Sequence, residues 1–249
     1  MRGAYIDDPA MDGLTNMTRD ADMARFAAKH GCIMVRTYEW IRPTLSLGRF
    51  QQDSELAAQP KLQGLDWVRR GTGGGAILHH FDWTYSVAVP LEGKKGHEAA
   101  LYESVHRKII DWFRGFGWNA GLYQDVVGPT GALSCQSSSA NGTSCKSFLC
   151  FERRSDMDIV VGSAKIVGSA QRRLEGAVLQ HGSVLLQASP FAPQLLGLRE
   201  LPEESTGSQI SATRGFTREA LGKAVRLSFE QLSSQDWEPW PITKELNAV

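Results

Sequence analysis

The sequence predicts an α/β fold built on one mixed β-sheet, in a single domain that spans residues 1–249. Short runs of β-branched and aromatic residues, bounded by glycine or proline, recur along the chain and indicate strands. Three segments with apolar residues at three- and four-residue intervals indicate helices. The chain contains no internal repeat and no clear linker, and its 249 residues suit one large domain.

The composition is that of an ordinary globular enzyme, with 42% hydrophobic and 22% charged residues. The 27 Lys and Arg residues balance the 27 Asp and Glu residues, so nothing indicates binding of nucleic acid. No apolar run is long enough to cross a membrane, and the first residues lack the pattern of a signal peptide, so we expect a cytoplasmic protein without a membrane segment. Four cysteines are too few for a disulfide scaffold in a chain of this length.

The first half of the chain predicts two helices. The first covers residues 20–29, where Met23 and Phe26 share a face and Gly31 provides the stop. The second covers residues 98–116, with one broad apolar face. Strands are expected at Cys32–Tyr38, Thr44–Leu47, 65–70, 76–80 and 84–89.

The second half begins with a glycine- and serine-rich stretch at 124–146, which predicts a long loop, either functional or a disordered insertion. A closing helix is expected at 216–232. Strands are expected at 147–151, 158–161, 166–171 and 177–186.

The segment WVRRGTGGGAILHH at 67–80 is the first that indicates a binding site. It contains the dinucleotide fingerprint Gly-x-Gly-x-x-Ala, but that fingerprint must lead into a helix. Here a strand-like run follows, so the context of a dinucleotide site is missing. The glycines serve either a tight turn or the close approach of the backbone to a ligand. Two arginines before them and a histidine after them favour the ligand.

The segment KIVGSAQRR at 165–173, followed by LQHGS at 179–183, is the second. A lone lysine such as Lys165 is commonly a solvated surface residue. Among the small residues that flank it, however, its ammonium can reach a carbonyl oxygen that gains negative charge during acyl transfer. His181 is equally consistent with a core histidine.

The positions of the four cysteines indicate whether the chain uses a thiol nucleophile, a zinc site or neither. Cys32 lies in an apolar strand and is expected in the core. Cys135 and Cys145 fall in the serine-rich stretch and are poor nucleophiles without a fixed base. Cys150 is expected at the end of the strand at 147–151, either as a structural residue or as a nucleophile. A zinc site fits less well, because the cysteines lack a recognised ligand spacing.

The two segments together resemble the lipoate/octanoate protein ligase and transferase family. Its hallmarks are Arg-Arg-x-x-Gly-Gly-Gly-x-x-x-His and Lys-Ile-x-Gly-Ser-Ala, which match residues 69–79 and 165–170. Further likeness covers RTYEW at 36–40, PTLSLGRFQ at 43–51 and TYS at 84–86. The resemblance implies a biotin/lipoate protein ligase-like fold, whose mixed, largely antiparallel sheet is flanked by helices. The position of Cys150 before the lysine segment resembles that of the matching cysteine in the octanoyltransferase branch.

The resemblance also implies roles for particular residues. Cys150 would form a thioester with the octanoyl group, and Lys165 would be the cation at the acyl carbonyl. His80 stands where many relatives carry aspartate and receives no role. The residues implied to bind the acyl substrate are Arg70, Gly73, Gly74, Gly75, His79, Gly168, Ser169, Ala170, Gln171, His181 and Gly182.

The activity implied is transfer of octanoyl from acyl carrier protein to a lysine of a lipoyl domain, in 2-oxoacid dehydrogenases or the glycine cleavage H protein, without cofactor or metal. One alternative is an ATP-dependent lipoate–protein ligase, which would need ATP and Mg. The residues after Leu186 leave little room for the accessory domain that many such ligases carry, which favours the transferase. A second alternative is an acyl-binding protein without turnover. For the transferase we expect Cys150 and Lys165 side by side, at an apolar tunnel walled partly by the glycines.

Overall fold

The computed structural model describes residues 1–91, 97–128, 147–202, 216–229 and 237–239. The strands are β1 (Arg2–Asp7), β2 (Cys32–Tyr38), β3 (Thr44–Leu47), β4 (Asp66–Arg69), β5 (Ile77–His79), β6 (Asp82–Pro90), β7 (Ala120–Leu122), β8 (Ile159–Val161), β9 (Ala164–Leu174), β10 (Ala177–Leu185) and β11 (Trp237–Pro239). The helices are α1 (Gly13–His30), α2 (Asp53–Ala57), α3 (His97–Gly115), α4 (Tyr123–Val127) and α5 (Arg218–Leu227).

The main sheet has eight strands in the order β11-β1-β2-β6-β10-β9-β8-β7. From β2 to β7 every neighbouring pair is antiparallel, whereas β1 runs parallel to both β2 and β11. A smaller sheet of order β4-β3-β5 lies beside it. The mixed, largely antiparallel α/β fold expected from the resemblance is therefore confirmed.

Both faces of the main sheet are covered, because its central strands alternate between two cores. On β2, Ile33 and Val35 pack in the core that contains α3 and α5, whereas Cys32 and Met34 pack against α1. Cys32 is 5% exposed, as expected of a core residue. No helix in the described part of the chain is long and apolar enough to span a membrane.

Helix α1 begins seven residues before the predicted start. Asp12 caps it, accepting a hydrogen bond of 2.9 Å from the Thr15 amide. The added turns bury Asn16, which accepts a hydrogen bond from the guanidinium of Arg36, as does the buried Asp20 at the predicted start. Buried polar residues interrupt an apolar period, so the sequence pattern concealed these turns.

The strand predicted at 147–151 is wrong. A single bridge joins Leu149 to Ala76, and the chain then turns into a 3-10 helix at Cys150–Glu152. The Ala76 amide donates to Phe148 O at 2.9 Å, and the Cys150 amide donates to Ala76 O at 2.8 Å. Pairing through one residue holds the segment in place without making it a strand.

Three other expectations need adjustment. The stretch predicted as a loop from residue 124 begins within α4, and its residues 129–146, with Cys135 and Cys145, lie outside the described residues. The closing helix is confirmed as α5, which ends at Leu227, and residues 230–232 also lie outside the description. The elements not predicted from the sequence are strands β1, β7 and β11 and helices α2 and α4.

Candidate active site

The glycine segment is folded around the side chain of Arg70. This guanidinium donates to the carbonyl oxygens of Gly73 and Gly75, both at 2.7 Å, and to Ser46 O at 2.6 Å. Arg70 is 2% exposed, and none of the described carboxylates forms an ion pair with it. Burial lowers the pKa of Arg70 to about 10, with negative charge on Cys150 opposing the shift. Arg70 is therefore a buried cation at neutral pH that fixes the conformation of the glycines.

The glycine segment is also pressed against the residues around Cys150. A Cβ atom on Gly75 would lie 2.9 Å from Phe148 O and 3.0 Å from the Cys150 amide. Gly74 has φ of 95°, a conformation that side chains disfavour, and a Cβ there would lie 3.9 Å from Cys150 Sγ. The glycines thus allow a close approach between two backbone segments, one of which carries the thiol.

Lys165 on β9 reaches the same place from the other side. Its Nζ lies 3.9 Å from the Sγ of Cys150 and 3.2 Å from the Cys150 carbonyl oxygen. A longer contact of 3.5 Å joins it to Arg153 O. Lys165 is 5% exposed, so the solvated-surface alternative is wrong.

Asp158, which sequence reasoning missed, is the counter-ion of Lys165. Its Oδ2 lies 2.9 Å from Nζ and also accepts a hydrogen bond of 2.7 Å from the Ser155 amide. Burial raises the pKa of Asp158, and the Lys165 ammonium works against that rise. The only sequence signal was an acidic residue directly before a fully apolar strand, β8.

Gly168 gives the Lys165 side chain room to lie across the strand. A Cβ at Gly168 would be 2.8 Å from Lys165 Cε and 3.2 Å from its Nζ. The Phe151 ring centroid lies 5.3 Å from the same ammonium. Lysine and glycine three residues apart therefore form one structural unit.

The neighbouring residues of β9 and β10 form a hydrogen-bonded wall. Gln171 donates to Gln180 Oε1 at 2.7 Å, and Gln180 donates to the Tyr85 hydroxyl at 3.1 Å. The hydroxyls of Tyr85 and Ser169 are 2.6 Å apart. Gly182 pairs with Ser169 across the strands, and a Cβ there would lie 2.2 Å from the Ser169 Oγ. Ala170 pairs with His181.

Both predicted binding histidines are buried and hold protein groups with both nitrogens. His79 contacts Asp82 Oδ2 and Ser46 Oγ, each at 2.8 Å, and stacks on Trp40 at 3.8 Å. Burial lowers the pKa of His79, with Asp82 opposing.

His181 lies between helix α1 and the glycine segment. Its Nδ1 is 3.2 Å from Asp20 Oδ2, and its Nε2 is 2.6 Å from Thr72 Oγ1. His181 is therefore bonded as a core histidine would be, and it also lines a cavity.

That cavity lies between the two sheets. Arg70, His79, His181 and Gly182 line it, and its volume is about 10 Å³, room for one water molecule. Neither the three glycines nor Cys150 is among its lining residues. An eight-carbon chain does not fit there without movement of side chains, so this cavity is not the open tunnel expected from the sequence.

In the described ranges no group of three or more His, Cys, Asp or Glu is arranged to hold a metal ion. The polar groups that converge near Cys150 are instead cations, Lys165 and Arg70. This arrangement suits a thiolate nucleophile and a carbonyl oxygen that becomes negative.

Comparison with known proteins gives the same family as the motifs. The sequence profile of the lipoyl protein ligase A/B catalytic domain matches residues 12–201. Octanoyltransferase LipM of Lysinibacillus sphaericus is 33% identical over 230 residues, covering 85% of this chain and 79% of that protein. LipM of Geobacillus kaustophilus is 34% identical over 233 residues, covering 86% and 80%.

Solved structures share the fold at lower identity. A putative lipoate protein ligase from T. acidophilum with bound lipoic acid has a TM-score of 0.56 at 20% identity, covering 92% of this chain and 84% of that one. A lipoate-protein ligase A bound with ATP has a TM-score of 0.57 at 20% identity, with the same coverage. From its profile match and its relatives above 30% identity, the chain belongs to the lipoyl protein ligase A/B catalytic domain family.

Proposed function

We propose that this protein is an octanoyltransferase of lipoate biosynthesis that carries the acyl group as a thioester on Cys150. The observation that carries the proposal is the partly buried contact of 3.9 Å between Cys150 Sγ and Lys165 Nζ. The relatives that cover most of this chain are named octanoyltransferases, which supports transfer over ligation.

In the first step the Cys150 thiolate attacks the thioester carbonyl of octanoyl-acyl carrier protein. A new C–S bond forms to Cys150, the old C–S bond breaks, and its electron pair leaves on the carrier sulfur as a thiolate, which then takes a proton. One thioester replaces another, so the step needs no nucleotide. A neighbouring ammonium favours the thiolate form of the nucleophile.

In the second step a neutral lysine amine of the lipoyl domain attacks the acyl-Cys150 carbonyl. A C–N bond forms, Cys150 leaves as thiolate, and the amine nitrogen releases one proton to solvent. Formation of an amide from a thioester is strongly downhill. The acceptors of this proposal are the lipoyl domains of 2-oxoacid dehydrogenases or the glycine cleavage H protein, and the reaction uses no cofactor.

Lys165 supplies the charge that both steps require. Its contact with Asp158, at 2.9 Å, orients the ammonium. Its contacts with carbonyl oxygens, at 3.2 and 3.5 Å, are longer than an ideal hydrogen bond. A developing oxyanion replaces one of these weak contacts, so the transition state gains a stronger bond than the ground state loses.

An ATP-dependent ligase is the second candidate, because a solved neighbour is a lipoate-protein ligase bound with ATP. A ligase first makes an acyl-adenylate and has no need of a thiol beside Lys165. An acyl-binding protein without turnover is the third candidate, and it has no need of the buried Asp158–Lys165 pair beside a thiol.

Intact-protein mass spectrometry distinguishes the three. The protein is incubated with octanoyl-acyl carrier protein and a lipoyl-domain acceptor, without nucleotide. We expect an octanoyl adduct on the enzyme and then an octanoylated acceptor. Product that appears only with octanoic acid and ATP assigns the protein to the ligases. Binding of the donor without adduct or product assigns it to the non-catalytic proteins.

A further inference from the structure

His106 on α3 is a buried histidine that the mechanism above does not use. Its side chain is 0% exposed, and both ring nitrogens make short contacts. Nδ1 lies 2.6 Å from Met157 O, and Nε2 lies 2.7 Å from Ser169 Oγ. Met157 directly precedes Asp158, and Ser169 directly follows Gly168, so His106 joins the two segments that enclose the Lys165 ammonium.

The partners of His106 determine its tautomer. The Met157 carbonyl can only accept, so the hydrogen of the neutral ring is on Nδ1. Nε2 must then accept, and the Ser169 hydroxyl donates to it. Burial lowers the pKa of His106 to about 4; the hydrogen bond to Met157 O opposes this shift, and the charge of Lys165 adds to it. The ring is therefore neutral at physiological pH.

This tautomer fixes the direction of the hydrogen bonds in the wall beside Lys165. Because the Ser169 hydrogen is given to His106, the Tyr85 hydroxyl donates to Ser169 Oγ, and Tyr85 in turn accepts from Gln180. Every hydroxyl in the series has one donor role and one acceptor role. Removing the acceptor at His106 leaves the Ser169 hydroxyl without this buried partner, which costs free energy.

We propose that His106 is a positioning residue for the acyl transfer at Cys150. Its two nitrogens tie the turn before β8 to strand β9, and these elements carry Asp158 and Lys165. The ring thereby sets the distance between carboxylate and ammonium, and so the place of the ammonium beside the thiol. The inference rests on the proposed function, because it gives His106 a part in the same reaction.

Side-chain replacements at His106 separate positioning from simple packing. Glutamine can donate to Met157 O and accept from Ser169 with one planar amide, whereas leucine fills the space and can do neither. We expect His106→Leu to slow formation of the acyl-enzyme by about 10- to 100-fold at saturating donor, because misplacement by about 1 Å can cost that much. KM for the donor should stay within about twofold, and His106→Gln should recover most of the rate.

A second readout does not depend on acyl transfer. Alkylation of Cys150 by iodoacetamide at pH 7 reports how well a cation supports the thiolate. It should fall in His106→Leu and recover in His106→Gln. His80→Leu, a matched loss of a histidine outside the cluster, should leave both rates unchanged. If His106→Leu does not fold, His106→Asn, which reaches Met157 O but not Ser169, replaces it in the comparison with glutamine.

Several outcomes overturn the inference. Wild-type rates of acylation and alkylation in His106→Leu, with only a lower melting temperature, would make His106 a packing residue. If His106→Gln is as slow as His106→Leu, loss of the hydrogen bonds of His106 is not the cause of the lower rate. If the wild type forms no acyl-enzyme, the proposed function fails instead, and the alkylation rates alone decide the role of His106.

Discussion

Replacing Gly168 by alanine tests whether the position of Lys165 controls the reaction. The added Cβ would lie 2.8 Å from Lys165 Cε and 3.2 Å from Nζ, whereas ordinary van der Waals contact begins at 3.4 Å. The atoms that must move are the far end of a flexible side chain, so the ammonium shifts by about 1 Å while the backbone stays in place. Gly168 has no positive φ, so alanine suits its backbone.

A displacement of that size changes the distance from the ammonium to the thiol, while the Asp158 carboxylate remains close enough to pair with it. We expect formation of the acyl-enzyme in Gly168→Ala to slow by about 100-fold. The free energy of unfolding should change by less than about 1 kcal/mol, because only a side-chain rearrangement is required.

The measurement is the rate of the octanoyl adduct by rapid-quench mass spectrometry, beside a urea unfolding curve. Gly115→Ala is the matched control, since a Cβ at Gly115 meets no atom within 4 Å, and it should acylate at the wild-type rate. Acylation of Gly168→Ala at the wild-type rate would refute the reasoning. A large loss of stability would show that the backbone clashes instead.

Three further predictions concern the same cluster. Cys150→Ala should abolish the acyl-enzyme and lower turnover by about 10⁴-fold or more, whereas Cys32→Ala should still form the adduct; transfer undiminished without Cys150 would end the thioester mechanism. Asp158→Asn leaves Lys165 buried without its counter-ion and should cost about 3–5 kcal/mol of unfolding free energy in urea titrations, and a loss below about 1 kcal/mol would contradict the ion pair. Because the pKa of His106 is lowered from 6.5 to about 4, the unfolded state binds the proton first as the pH falls, so the free energy of unfolding should fall by about 3 kcal/mol between pH 7 and pH 4. In His106→Gln this pH-dependent fall should be smaller, and an equally large fall would mean that other groups cause it.

Local sequence patterns predicted most of the long strands and helices. Strands β2 and β3 were predicted to the residue, because their apolar runs end at turns marked by glycine or proline. The segment at 147–151 looked like a strand by the same rule, yet it pairs through one residue only. Whether an apolar run finds a full partner strand depends on distant residues, which a single sequence does not reveal.

Residue patterns alone left both Lys165 and Cys150 with a structural alternative, and the family resemblance selected the functional one. The structure brings their side chains to 3.9 Å. Asp158 and His106 gave no such signal, since each is one polar residue beside an apolar element. Their importance comes from a partner that only the fold supplies, Lys165 for the first and Ser169 for the second.

Arg70 is buried without an ion pair to any described carboxylate, and this has a consequence for inhibitor design. Carbonyl dipoles solvate this guanidinium but do not neutralise it, so the glycine segment carries a standing positive potential. That potential does not favour binding of a neutral octanoyl analogue, whereas it favours an analogue of the same length that has an anionic head group. Among compounds of equal length, alkyl sulfonates and alkyl phosphonates should therefore outcompete amides and esters, and their advantage should persist as ionic strength rises, because salt screens a buried charge only weakly.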